Sequence, residues 1–159
     1  MADDDASLFF KLVRVVNLTA RPFQQRVGRK HQLTLNEWRA MAVLGAHPGF
    51  TATQVVEQTG LDKMSVSRAL AGLKRARRLQ AHDDPTDQRR SRLYLTAAGK
   101  ELFGIVRALG RQREAELFAG VDAAELAQFA ATLDKLMASV ASSATSAIDT
   151  STRPPGNRG

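Results

Sequence analysis

Apolar residues recur at helical spacing from the first turns of the chain. Leu8, Phe9, Leu12, Val15, Val16, Thr19 and Phe23 fall three and four apart, while Arg14, Asn17 and Arg21 share a separate polar stripe. The pattern predicts a helix from Ser7 to about Val27, with Pro22 placed to kink or end it because proline lacks a backbone donor. Thr34-x-x-Glu37 reads as a capping box that opens a second helix, running to about Ala46 and stopped by His47-Pro48-Gly49. Thr51-x-x-Gln54 opens a third, short helix by the same device. Gly60 then makes a turn, since a residue without Cβ accepts left-handed geometry, and Asp62 caps a fourth helix. Leu79-Gln80-Ala81-His82 and Ser91-Arg92-Leu93-Tyr94-Leu95 alternate roughly in polarity around a connection containing Asp84-Pro85, the pattern of a short β-hairpin. A long helix from Thr96 to about Ala119 carries Leu102, Phe103, Val106, Leu109, Leu117 and Phe118. A last one, capped by Asp122-x-x-Glu125, carries Leu126, Phe129, Leu133, Leu136, Met137 and Val140.

Val56, four residues before Gly60, and Val66, six after it, are both apolar, so two helices can cross tightly on either side of the glycine turn. Taken alone this is a helix-turn-helix or any short helical hairpin; the β-hairpin that follows directly makes it a winged helix. The fold class is therefore mostly α with a small β-wing. Residues 31–96 form a winged helix-turn-helix domain, and residues 7–30 and 97–141 form a helical region outside the winged core. The tail 142–159, SSATSAIDTSTRPPGNRG, has few apolar residues, ends in a Pro-Pro-Gly stretch and is expected to be disordered.

Charge narrows the partner. The chain of 159 residues is of single-domain length and carries a net charge of +7, with a pI near 10.5. Between Leu61 and Arg92 there are nine Lys or Arg against four Asp, an excess of five positive charges in about one fifth of the sequence. That concentration suits a phosphate-binding surface. No apolar run reaches the roughly 20 residues of a membrane span, and the stretch MADDDAS is acidic where a signal peptide would be basic, so the expected location is cytoplasmic. Cysteine is absent, which excludes disulfides, cysteine-ligated zinc and thiol redox sensing. There is no His-Glu-x-x-His, Gly-x-Ser-x-Gly or phosphate-binding Gly-rich Lys-Ser/Thr loop, and His31, His47 and His82 are scattered. Neither an enzyme, a metal site nor a cofactor is expected.

Leu61-Asp62-Lys63 leading into Ser65-Val66-Ser67-Arg68, and Asp84-Pro85-Thr86-Asp87-x-Arg89 leading into Leu95-Thr96-x-x-Gly99, occur in an order and at intervals that resemble the MarR family of bacterial transcriptional regulators. The resemblance covers about residues 8 to 140. It departs from the family at the end of the fourth helix, where a Gly is common and Arg78 stands, and after the wing aspartate, where Gln88 replaces the first of two arginines. What the resemblance implies is a homodimer on a pseudo-palindromic operator in double-stranded DNA, acting as a repressor. The apolar faces of the terminal helices supply the means to dimerise.

Residue roles follow from the chemistry of the duplex. Ser65, Ser67 and Arg68 are candidates for base edges in the major groove, and Lys63, Lys74 and Arg75 for phosphates. Arg89 and Arg90 at the wing tip are candidates for the minor groove, with Asp87 orienting Arg89 by a charge-assisted bond. The bland alternative is that some of Lys74, Arg75, Arg77 and Arg78 form an ordinary solvated face. The resemblance further implies a small-molecule effector, commonly an aromatic or heteroaromatic carboxylate or phenol. Phe10, Arg14, Asn17, His31, Trp38 and Met41 are the candidates to hold it. Two other classes use the same basic face: a sequence-tolerant architectural DNA-binding protein, and a winged helix serving as a protein-interaction module.

Overall fold

The computed structural model describes residues 7–23, 27–87 and 89–150, the side chains of 21, 22 and 142–150 apart. The chain divides into two compact units, one through Gly110 and one from Arg111.

The first unit begins with α1 (Leu8–Phe23) and a single turn, α2 (Arg29–His31). Next come α3 (Leu35–Ala46), α4 (Ala52–Thr59) and α5 (Lys63–Arg75), each started by the residue expected from its sequence. Thr34 and Glu37 close a reciprocal capping box, as do Thr51 and Gln54, and Asp62 accepts the Ser65 amide. These side chains satisfy backbone donors that a helix start leaves unpaired. Gly60 ends α4 at φ 66°, and no atom would lie within 4 Å of a Cβ there, so the requirement for glycine is one of backbone conformation alone.

Strands β1 (Leu79–Asp83) and β2 (Ser91–Leu95) pair antiparallel, with Leu79 opposite Leu95 and Ala81 opposite Leu93. A third rung comes from the loop after α3: the Gly49 amide donates to the Leu93 carbonyl at 2.9 Å, and the Leu93 amide to the Phe50 carbonyl at 3.0 Å. The hairpin is thereby fixed to the helical core rather than hanging from it. That core is built from Leu33, Met41, Leu44, Val55, Val66, Leu70, Leu73, Leu79, Leu93 and Leu95, joined by Leu102 and Val106 of α6 (Ala97–Leu117).

The burial of Leu102 and Val106 corrects the expectation that the helix after the wing stands outside the winged core. Its first turns pack on that core, with Phe103 stacked with the Trp38 ring at 6.0 Å and Phe23 with the same ring at 6.2 Å. The Leu-Thr-x-x-Gly run makes this entry possible. Thr96 donates its hydroxyl to the Arg77 carbonyl and accepts from the Gly99 amide, while a Cβ on Gly99 would collide with the Arg78 carbonyl oxygen.

In the second unit, Asp122 and Glu125 cap α7 (Ala123–Thr150) reciprocally. The helix continues through residues 142–150, which the sequence reading assigned to a disordered tail. Ala141, Ala144 and Ala147 sustain helix propensity, and no Gly or Pro intervenes before Pro154. Residues 151–159 lie outside the described residues. No helix among the described residues is long and apolar enough to cross a membrane.

Candidate nucleic-acid interface

Helix α5 buries Val66, Ala69, Leu70 and Leu73 and turns Lys63, Met64, Ser67, Arg68, Ala71, Lys74 and Arg75 outward. The split follows from helical periodicity, since the buried and outward sets each recur at three and four. One flank of this outward face borders an open groove of about 990 Å³ between α5, α4 and the wing. Lys63, Ser67 and Lys74 line it from the helix, and Arg89, Arg90 and Arg92 from the hairpin. The other flank borders a hollow of about 550 Å³ beside the start of α3, where Ser65, Arg68 and Arg75 lie. Ala71 touches both hollows and so marks the crest between them.

The wing is held by a carboxylate. Asp84 is only 4% exposed; it accepts from the Thr86 hydroxyl at 2.6 Å, from the Thr86 amide at 2.9 Å and from Arg92 Nη2 at 2.9 Å. These bonds, the Thr86 hydroxyl foremost and then its amide, hold the carboxyl below its ordinary pKa against the opposing effect of desolvation, and the Arg92 charge adds to them. At the base of α5, Asp62 is likewise lowered, first by the Ser65 hydroxyl at 2.6 Å and then by its amide. Ser65 therefore spends its hydroxyl proton on the cap, and only its oxygen lone pairs remain for a base edge.

At the wing tip Asp87 does not pair with the Arg89 side chain. Its carboxylate accepts the Arg89 backbone amide at 3.0 Å and forms its ion pair with Arg90 Nε at 3.2 Å. An aspartate in a turn bonds its own backbone two residues on, which shapes the loop and leaves the second oxygen for the next cation. Gln88 lies outside the described residues.

The end of α5 departs from expectation by one position. Arg77, at φ 56°, takes the left-handed geometry, with its amide on the Lys74 carbonyl and the Arg78 amide on the Leu73 carbonyl. This is a Schellman closure with an arginine where glycine is usual. Arg78 is half-buried and engaged within the fold: its guanidinium donates to the carbonyls of His31 at 2.6 Å and Gln32 at 3.1 Å.

Residues 31–90 match the model of the MarR family. No curated protein matches the chain by sequence. Among solved structures, a MarR/EmrR family transcriptional regulator from Acinetobacter sp. ADP1 is similar with a TM-score of 0.80 at 23% identity, over 89% of this chain and 99% of that one. The PcaV transcriptional regulator of Streptomyces coelicolor, in complex with its natural ligand, gives 0.74 at 25% identity, over 86% and 96%. BpsR of Bordetella bronchiseptica, whose DNA binding is regulated by 6-hydroxynicotinic acid, gives 0.75 at 23% identity, over 84% and 94%. Residues 31–90 are thus similar to the MarR family, and the fold is similar to that of solved regulators of that family.

The helix-turn-helix and most of the wing described above lie within the stretch that matches the MarR-family model. The structure distributes the candidate DNA residues of this chain over both flanks of α5 and the wing tip. It does not assemble the candidate effector residues in the same way. Phe10, Arg14 and Asn17 lie exposed on α1, and His31 is half-buried with its carbonyl engaged by Arg78. Trp38 is half-buried and stacks with the rings of Phe23 and Phe103, and Met41 has no exposed surface at all. Met41 is part of the buried core. Two features escaped the sequence reading. The start of α4, Thr51 to Gln54, lines the wing-side groove, where helix-end amides suit a phosphate; its only sequence signal was the capping box. Met64 stands 66% exposed at the start of α5.

Proposed function

We propose that this chain is a MarR-family regulator, homodimeric and sequence-specific in binding DNA, acting in the cytoplasm as a repressor that a small aromatic or heteroaromatic carboxylate or phenol releases from its operator. The observation that carries the DNA reading is the joint placement of the outward face of α5 and the Arg89-Arg90 wing tip around one open groove. In this reading α5 enters the major groove, with Arg68 and Ser67 on base edges and the oxygen of Ser65 as an acceptor. Lys63, Lys74 and Arg75 neutralise phosphates, while Arg89 and Arg90 reach the narrow minor groove. Asp87 shapes the turn that presents both arginines.

Dimerisation is supported by apolar surface that a lone chain leaves in water. Leu8 and Phe9 of α1 are 77% and 76% exposed, and α7 exposes Phe129, Leu136, Met137 and Val140. Patches of this kind mark interfaces in soluble proteins, and a two-fold arrangement is the common solution. Two copies of α5 about one DNA turn apart then read a palindrome. The effector reading draws on PcaV, crystallised with its natural ligand, and on BpsR, whose DNA binding responds to 6-hydroxynicotinic acid. Phe10, Arg14, Asn17, His31 and Trp38 remain its candidate contacts, Arg14 toward a carboxylate and Trp38 toward a ring.

Competition tests the core of the proposal. With a labelled duplex enriched from genomic DNA, a regulator keeps its site under a large excess of unrelated duplex, because specific binding exceeds non-specific by roughly 10³ or more. Displacement in proportion to the competitor's mass would instead favour the architectural class.

A further inference from the structure

Resting on the DNA-binding reading, we propose that Met64 is a specificity determinant that reads the methyl group of a thymine. The outward face of α5 is basic and polar on both flanks: Lys63, Ser67 and Lys74 toward the wing, Ser65, Arg68 and Arg75 toward α3. Its crest is apolar. Ala71 borders both hollows, and Met64, seven residues earlier, lies two helical turns along nearly the same line, since seven residues fall about 20° short of two full turns. Met64 is 66% exposed and lines neither hollow, so within the chain it projects into solvent from the first turn of the helix.

That first turn is the part of a recognition helix that meets base edges. It is also fixed in place, because Asp62 accepts both the amide and the hydroxyl of Ser65, at 2.8 and 2.6 Å. An unbranched thioether offers neither a strong donor nor a strong acceptor to a base edge. Its chemical complement in the major groove is the one apolar group displayed there, the thymine C5-methyl. Burying one such group against an apolar side chain corresponds to about fourfold in affinity.

The experiment uses the full chain and a randomised duplex library. Sequences enriched by the wild type are resynthesised with each thymine replaced in turn by deoxyuridine, which removes only the methyl. The expected result is a half-site position where the wild type loses about fourfold on this replacement. Met64→Ala binds the thymine and uracil duplexes alike at that position, and Met64→Gln no longer enriches thymine there. Both variants lie on an exposed position and are checked for wild-type melting. The inference is overturned if the wild type is indifferent to uracil at every position, or if Met64→Ala keeps the same thymine preference. Failure of the wild type to enrich any sequence overturns the DNA-binding reading itself; enrichment with an unaltered thymine preference overturns only the role of Met64.

Discussion

Alanine at Gly99 strikes the point where α6 enters the winged core. A Cβ there would collide with the Arg78 carbonyl oxygen and stand 3.0 Å from the carbonyl carbon and 3.3 Å from Leu95 Cβ. Neither side can yield cheaply. The Arg78 carbonyl accepts the Thr96 amide at 3.1 Å, the Arg78 amide is bonded to the Leu73 carbonyl at 2.9 Å, and the Arg78 guanidinium is anchored on His31 and Gln32. Overpacking of this kind costs about 1–3 kcal/mol. Against it, alanine is about 1 kcal/mol better than glycine within a helix. Gly99→Ala is therefore expected to destabilise by up to about 2 kcal/mol once the two effects are combined. Gly104, on the same helix, supplies the control: nothing lies within 4 Å of its Cβ position, so Gly104→Ala should stabilise by about 1 kcal/mol. Urea denaturation at one fixed protein concentration measures both, the concentration being held because a dimer's stability depends on it. The midpoints should move in opposite directions. If Gly99→Ala raises the midpoint as Gly104→Ala does, the close approach of α6 to Arg78 is not what requires glycine in the Leu-Thr-x-x-Gly run.

Two left-handed positions should respond with opposite signs. Gly60→Ala costs about 1 kcal/mol by backbone strain alone, whereas Arg77→Gly gains about as much, and equal melting temperatures for the two variants would refute the assignment. Arg68→Ala should relax base preference at a cost of about 1–3 kcal/mol, while Lys74→Ala weakens binding to all duplexes and lowers the salt slope by about 1; binding unchanged in both would contradict the roles given to α5. For pH, Asp62 and Asp84 are both held below the ordinary value of 3.8, so the unfolded chain takes up protons first as acid is added. Their contribution is complete above that value and lost as pH falls through the depressed folded values. Melting temperature should accordingly drop below about pH 4, with a shallower drop in Asp84→Asn; an acid limb identical in that variant would remove Asp84 from the account.

What the sequence disclosed follows the range of the interactions involved. Thr34, Thr51, Asp62, Asp122 and Gly60 act on backbone groups within four residues, so their spacing alone announced the helix starts and the turn. The partner of an apolar face is not written in its period. Leu102 and Val106 look like any helical stripe, and only the fold shows the winged core covering them. Arg77 and Arg78 differ by one step in the helix closure, a difference decided by which amide reaches the Leu73 carbonyl. Asp87 has two adjacent arginines within reach, and the turn selects Arg90 for the ion pair. Met41 looks as available to a ligand as Trp38 in the sequence, and only the fold shows it fully buried. Met64 drew no notice among the polar residues of its helix because its meaning depends on which line of α5 is the crest.

The most direct test of the whole account is selection of genomic fragments by the purified full chain, followed by footprinting of the winners. The account predicts enriched sites with two inverted half-sites about one helical turn apart, major-groove protection within each and minor-groove protection flanking them. Enrichment of nothing, or uniform protection without half-sites at low salt, would contradict it.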